Sequence, residues 1–558
     1  MPSPVLRVRW LGRVAYSEAL ALQESIFQNG SDNRMLLLEH PHVFTYGPSA
    51  DLVNNLRCDP AEVGADFVAV NRGGDITYHG PGQLVGYPLL SLPPKVAGGD
   101  GPADSVAFVH SVEQMIIDSL CEIGLQDVGT MPKYPGVWVN PQGSNPRKIC
   151  AIGVRVSRRR TMHGFALNVS TDLDYMREHI VPCGISEYPV TSLQAEGVEI
   201  ALKDVVDIVS RQAAKLWGGA QLERQDVAWK DSPLDLSAFS RGEGPGQPVR
   251  MMGRLARAGV EGGVDISARK PDWIRPRVQH GPEVLSLKKT LRDASLVTVC
   301  EQAGCPNLSE CWSSGTATFM VLGERCTRAC GFCLIDTQKP LDADQHEPKR
   351  VAQAVRQMGL SYAVLTMVAR DDLADGGMDH VARCVREIRA VDPRISVETL
   401  ISDVRGTDAL QILINERPDV MNHNVETVPR LQRAVRPSAG YARSLSVLAR
   451  SKRADLITKS GLIVGMGETD DEVVGTLADL AAVGVDIVTI GQYLRPTTNH
   501  LPVARWVEPR LFEMYKEVGE AFGIGHVESS PLTRSSYHAK ESAQHAIDMA
   551  VPVSIGVK

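Results

Sequence analysis

The chain has 558 residues, 43% hydrophobic and 22% charged. This excludes a fibrous or disordered polymer and, at a prior of one domain per roughly 150 residues, a single compact domain. A net charge of −7 argues against a nucleic-acid partner. No stretch approaches the ~18 apolar residues of a membrane span, and the first residues lack an apolar core followed by a small-residue cleavage site, so a cytoplasmic protein without a membrane partner is expected.

In chain order, a helical period runs over Tyr16–Gln28, then an apolar run MLLLEH and a glycine-rich stretch, NRGGDITYHGPGQLVGYPLLSL. Strand signals follow at GVWVN, ICAIGVRVS and HGFALNVS, alternating with helical periods over Val106–Ile123 and Leu202–Trp217. Residues 1–220 therefore read as an α/β or α+β domain. GPGQLVG is not a dinucleotide fingerprint, because its glycines fall as G-x-G-x3-G. Cys183 lies in a turn-like VPCGI, where a thiol is exposed. A nearby ammonium such as that of Lys148 would raise its thiolate fraction and prepare it for acyl-thioester chemistry, the alternative being an interior thiol. Cys58, Cys121 and Cys150 read as interior. His79 and His163 read either as pocket residues or as hydrogen-bonded structural ones.

Residues 221–265, rich in Gly, Pro, Ser and charge, read as a flexible linker. In residues 266–558, β-rich runs recur at ATFMVLG, YAVLTMV, ISVETLI, DVMNHNV, SGLIVGMG and VDIVTIGQYL, most followed by a helical segment. Six β/α units in series predict a partial parallel barrel with its chemistry beyond the C-terminal strand ends. Six of the eleven cysteines fall between Cys300 and Cys333. Cys326, Cys330 and Cys333, in CTRACGFC, place three soft thiolates on one tight loop just beyond the first strand. A [4Fe–4S] cluster normally takes four thiolates, so three leave one iron open to another ligand. Structural zinc is the alternative, although it favours paired arms with a fourth ligand. Cys300, Cys305 and Cys311 form a second triplet, and Cys384 reads as core.

CTRACGFC, with Phe332 in the aromatic position, resembles the cluster loop of radical S-adenosylmethionine (SAM) enzymes, in which the open iron chelates SAM and an electron cleaves it to methionine and a 5′-deoxyadenosyl radical. GLIVGMGE, with Gly465 and Glu468, resembles a segment near the adenine in that family. TVCEQAGCPN ahead of CTRACGFC, with KPDWIRPR, LTMVARDDLADGG, MNHNVETVPRL and RSSYHA, resembles lipoyl synthases. That resemblance implies two [4Fe–4S] clusters. The second, held by Cys300, Cys305, Cys311 and a serine of RSSY, Ser536 rather than Ser535, would be the sulfur donor. Arg370, Asp371, Asp372, Glu426 and Arg430 are polar residues at or just after the predicted strand ends, where they would hold SAM or orient substrate, surface ion pairs being the alternative. Met367, Ala369 and Arg495 depart from the family's pattern.

NRGGDITYHGPGQLVGYPLL, RKICAIGVRV, HGFALNV and PCGI…VTSL resemble the octanoyltransferases, of biotin/lipoate ligase-like fold. The resemblance implies that Cys183 carries an octanoyl thioester and that Lys148 lowers its pKa and shuttles the proton. It further implies substrate contacts at Arg72, Gly73, Gly74, Asp75, Ile76, Thr77, Tyr78 and His79, at Ala151, Ile152 and Gly153, and at Gly164, Phe165 and Ala166. The whole reads as α/β with two catalytic domains. The first would move octanoate from acyl carrier protein to a lysine of a lipoyl domain, in a 2-oxoacid dehydrogenase complex or the glycine cleavage H protein. The second would insert sulfur at C6 and C8, drawing electrons from a ferredoxin or flavodoxin. The rivals are an ATP-using lipoate ligase of the same fold and a zinc- or cluster-binding regulator without turnover.

Overall fold

The computed structural model describes residues 5–96, 98–229, 252–275, 296–298, 307–313, 315–404 and 408–550. The chain divides into two compact units, Met1–Trp229 and Lys230–Lys558. No helix among the described residues is long and apolar enough to cross a membrane.

The first unit is built on strands β1 (Leu6–Arg13), β2 (Asn33–Glu39), β3 (Val43–Tyr46), β4 (Asp66–Ala69), β5 (Thr77–His79), β6 (Gln83–Leu89), β7 (Val128–Met131), β8 (Tyr134–Val139), β9 (Arg147–Ser157), β10 (Arg160–Asn168) and β11 (Leu222–Asp226). Eight of them form one mixed sheet in the order β11-β1-β2-β6-β10-β9-β8-β7, and β4-β3-β5 form a small second sheet. The MLLL run of β2 is buried throughout because the strand is covered on both faces. The expected helices are present at Tyr16–Asn29, Ser105–Ile123 and Leu202–Trp217. Asp104 starts the second by accepting from the backbone N–H groups of Val106 and Ala107, and Gly124, at φ +108°, ends it. This helix and Leu202–Trp217 pack together through Phe108, Val112, Ile116, Val205 and Val209 over the sheet.

The first unit runs past residue 220. Strand β11 pairs in parallel with β1, and Trp229 stacks on Trp10 with ring centroids 4.2 Å apart. A polar strand at a sheet edge, LERQD, has no apolar alternation to reveal it.

The second unit carries β12 (Val297–Thr298), β13 (Thr316–Val321), β14 (Tyr362–Met367), β15 (Ser396–Leu400), β16 (Val420–Asn422), β17 (Ile457–Val464), β18 (Ile487–Gln492) and β19 (His526–Ser529). They form one sheet in chain order, β12 antiparallel and β13 to β19 all parallel. Strands β13 to β18 are the six expected from the sequence; β19 is a seventh, short and half polar. Helices follow the strands, and the one at Asp470–Ala482 opens with a capping box of Thr469 and Glu472. The core of this unit includes Cys384, fully buried as expected.

Candidate active sites

In the first unit, Pro182–Gly184 is a single tight turn in which Cys183 takes a left-handed backbone (φ 57°). The Cys183 N–H donates to the Ile76 carbonyl at 2.8 Å, which fixes the turn against the start of β5. Its thiol is half-buried. Lys148, on β9, is buried; its Nζ donates to the Pro135 carbonyl at 3.1 Å and lies 4.9 Å from the centre of the Trp138 ring. Cys183 and Lys148 line the same cavity of about 500 Å³. Between them the wall is mostly apolar, formed by Val85, Val109, Ile152, Val154 and Phe165.

The cavity also receives Arg72, Gly73, Gly74, Asp75, Thr77 and His79, together with Ala151, Gly153, Gly164 and Ala166. Ile76 and Tyr78 do not reach it. Alternation along β5 turns them the other way, into a small core with Phe44 and Leu173, where the Tyr78 hydroxyl meets His42 Nδ1 at 2.8 Å. Arg72 and Asp75 shape the wall. Arg72 donates to the carbonyls of Thr45, Gly73 and Asp75 and to the Thr45 hydroxyl. Asp75 accepts from the Ile76 N–H and from Asn55 Nδ2. Gly153 permits this loop to lie on β9: a Cβ there would sit 3.2 Å from Arg72 Cδ and 3.3 Å from the Gly73 carbonyl. Tyr16 and Tyr87 line the cavity too; Tyr87 falls within the glycine-rich motif but not among the expected contacts, and Tyr16 carries no motif that marks it. Of the remaining cysteines, Cys150 is interior, Cys58 is half-buried, and Cys121 is exposed because it falls on the solvent side of helix Ser105–Ile123.

His40 and His163 are buried, and burial pushes both imidazoles down to about 4. Lower pKa values in the folded state than the ordinary ~6.5 mean that the unfolded chain binds more protons between those limits. The first unit's stability is therefore expected to be full above pH ~6.5 and to fall as pH drops toward about 4. Unfolding followed by Trp fluorescence across that range checks it; a flat profile contradicts it.

In the second unit, the loop after β13 is pinned by its backbone. The Cys326 N–H donates to the Asp336 carbonyl, that of Thr327 to Ala369, and that of Gly331 to Val435, while the Leu501 N–H donates to the Gly331 carbonyl. Cys326 Sγ accepts from the N–H groups of Arg328 and Ala369 at 3.4 and 3.3 Å. The contacts at Ala369 are made by its backbone, which does not depend on the side chain at that position. His500 Nε2 lies 2.9 Å from the Cys333 carbonyl and Nδ1 2.7 Å from the Thr497 hydroxyl. Arg495 braces that loop by donating to the carbonyls of Thr497, Thr498 and His500.

Arg328, inside the cysteine motif, is the positive residue that a search for ligands passes over. It is buried, pairs with Asp371 through Nε and Nη2 at 2.8 Å, and also pairs with Asp403, itself fully buried. Burial raises the Asp403 carboxyl, but Arg328, Arg436 and Arg443 outweigh it and hold the group well below the usual carboxylate range. Removing one partner of such a buried pair leaves a desolvated charge behind. Asp403→Ala is expected to destabilise the second unit by about 3–5 kcal/mol, read by urea unfolding; a change under ~1 kcal/mol, the worth of a surface pair, would contradict it.

Burial pushes the thiols of Cys326 and Cys333 up, and that of Cys330 to about 12. Among the described residues, no three His, Cys, Asp or Glu side chains stand in metal-holding geometry. The chemistry of the donor set fits an iron–sulfur cluster: three thiols on one loop, with Arg328 and Arg436 near Cys330 to favour its thiolate. Phe332 is half-buried in the same loop.

The residues expected near SAM divide. Arg370 is buried, paired with Asp372 and bonded to the Leu322 carbonyl. Glu468 accepts from the N–H groups of Gly465 and Met466 and so caps its own turn. Arg430 pairs with Glu472. Glu426 sits at φ 63° beside β17, with Asn424 Nδ2 donating to its carboxylate, whose pKa burial raises.

Of the second triplet, Cys300 and Cys305 lie outside the described residues. Cys311 is on helix Leu308–Ser313, which meets the RSSYHA turn: Asn307 Nδ2 donates to the Leu532 carbonyl, and Glu310 accepts from Tyr537 and lies 3.1 Å from His538 Nε2. Cys311 and Ser536 are thus carried on segments in direct contact.

A parallel β/α sheet with a three-cysteine loop beyond its first parallel strand, joined to an α/β unit holding a cysteine and a lysine in one acyl-sized cavity, defines a radical SAM enzyme fused to an acyl-transfer unit. Residues 15–214 match the lipoyl protein ligase A/B catalytic domain, and residues 320–480 match the radical SAM superfamily. Over 280 residues, half of this chain, it is 53% identical to the lipoyl synthase of Rubrobacter xylanophilus, covering 87% of that protein. It is 49% identical over 282 residues to the lipoyl synthase of Caldicellulosiruptor saccharolyticus, covering 99% of it. The chain belongs to the lipoyl synthase family. A bipartite lipoate protein ligase from Thermoplasma acidophilum matches 41% of the chain and 88% of its own at 16% identity and a TM-score of 0.34. By its family matches the protein is an enzyme of lipoate assembly that uses SAM and iron–sulfur chemistry.

Proposed function

We propose that the chain carries out two consecutive steps of lipoate assembly. The first unit takes an octanoyl group from acyl carrier protein onto Cys183 and passes it to a lysine of a lipoyl domain; the second inserts sulfur at C6 and C8 of that bound chain. The observation that carries the first step is the shared cavity of Cys183 and Lys148, with an apolar wall able to hold an eight-carbon chain.

In this reading Lys148, which contacts the Pro135 carbonyl and the Trp138 ring, stabilises a Cys183 thiolate, protonates the departing carrier thiolate, and then accepts the proton of the incoming amine. In the second unit Cys326, Cys330 and Cys333 would hold one cluster, and Cys300, Cys305, Cys311 and Ser536 a second, whose sulfides are substrate. When bound, the first cluster with SAM supplies the radical that abstracts hydrogen from unactivated carbon. The chain's own residues Thr327, Arg328 and Gly331 hold the loop, and Arg436 favours the thiolate of Cys330.

The test is transfer without nucleotide. Octanoyl-acyl carrier protein and a lipoyl domain, incubated with the chain and no ATP, are expected to yield an octanoylated domain. A strict requirement for ATP with free octanoate would instead support the ligase reading.

A further inference from the structure

We infer that residues 252–264 form a strap built into the cluster site, with Arg254 as a positioning residue for the cluster loop. The inference rests on the reading of Cys326, Cys330 and Cys333 as cluster ligands. Read from composition, these residues belong to a linker; their contacts show otherwise.

Helix Met252–Arg257 turns Arg254 and Leu255 inward, 6% and 1% exposed. Arg254 Nη1 donates to the carbonyl of Ala329, the residue before Cys330, at 3.3 Å. The turn that follows is closed by the Val260 N–H on the Leu255 carbonyl. Val260 is buried over Gly467, where a Cβ would come 2.4 Å from Val260 Cγ2. Gly467 also sits at φ +111°, so both its backbone and the space above it demand glycine. Arg430 fastens the same crossing by donating to the carbonyls of Ala258 and Gly467. The strap then continues to β18's loop, where the Val264 N–H donates to Val503 at 2.7 Å, two residues beyond the Leu501 that holds Gly331.

One short segment therefore touches three loops: the cysteine loop, the turn after β17 and the loop after β18. A tether needs none of these contacts. A cation fixed at Ala329 faces the ligand loop and would meet the negative charge that three thiolates bring, which favours the reduced, more negative cluster. The guanidinium geometry also sets where Ala329, and hence Cys330, can lie.

The experiment uses the full chain, reconstituted anaerobically, with Arg254→Met, Arg254→Lys and Val260→Gly. At one fixed reductant poise, the ratio of reduced to oxidised cluster, read by electron paramagnetic resonance, is expected to fall about threefold or more in Arg254→Met at unchanged iron content, and to recover largely in Arg254→Lys. Loss of iron from Arg254→Met but not from Arg254→Lys would equally support a brace at the loop. Identical iron and identical ratios in all three would overturn it. Trypsin cleavage after Arg257, which needs no cluster, is expected to quicken several-fold in Val260→Gly; an unchanged rate would show that the segment is not strapped down. If the unsubstituted chain binds no iron, the ligand assignment fails and the trypsin result alone decides the strap.

Discussion

Serine in place of Cys183 is expected to lower octanoyl transfer from acyl carrier protein by at least about a thousandfold, because an alkoxide is far less available than a thiolate near neutral pH. The change replaces one atom on a half-buried turn whose backbone is held by the Ile76 carbonyl and by Gly184, so folding is expected to survive. An acyl-enzyme seen by mass spectrometry in the native chain should vanish in the variant. Lys148 makes the test sharper, since it shares the cavity with Cys183 but makes no bond in the thioester. Lys148→Met is expected to slow acylation without abolishing the adduct. Full transfer by Cys183→Ser would leave the cavity a binding site for a different chemistry.

Cys330→Ala is expected to abolish SAM cleavage and sulfur insertion while leaving octanoyl transfer intact. With two thiolates left on the loop, the first cluster loses its anchorage, and iron should fall by about four per chain. The transferase step should be indifferent because the two units are separately packed, each with its own sheet and core. Retention of full iron and of lipoylated product would place the cluster elsewhere. Cys311→Ala makes the complementary prediction: SAM is still cleaved, but sulfur is not delivered.

Much of this was legible in the amino-acid order, and for physical reasons. The six strands β13 to β18 are buried on both faces and read as apolar runs; β19 and β11, short and partly polar at sheet edges, do not. The cysteine loop announces itself because iron needs thiols at close spacing. Gly153 and Gly164 mark the cavity because neighbouring chain approaches closely there, and Gly74 because its backbone is left-handed. What escaped depends on partners distant in the chain. Ile76 and Tyr78 lie within the expected binding run but face away, since alternation on a three-residue strand decides their side. Arg328 and Asp403, 75 residues apart, form a buried pair that no local spacing predicts. Arg370 and Glu468 are charged residues at strand ends, the usual place for ligand contacts, yet the structure commits them to Asp372 and to a turn's own N–H groups. Residues 252–264 look like linker because glycine and charge dominate them; their role as a strap emerges from contacts with Ala329, Gly467 and Val503.

The central claim is that one chain performs both steps on one carried acyl group. The direct measurement is mass spectrometry of a lipoyl domain incubated anaerobically with the chain, isotope-labelled octanoyl-acyl carrier protein, SAM and a low-potential reductant. The account predicts that the label appears first as an octanoyl adduct on the domain's lysine and then, on the same lysine, as the lipoyl adduct bearing two sulfurs. An octanoyl adduct that never gains sulfur, with iron-replete enzyme and SAM consumed, would contradict it.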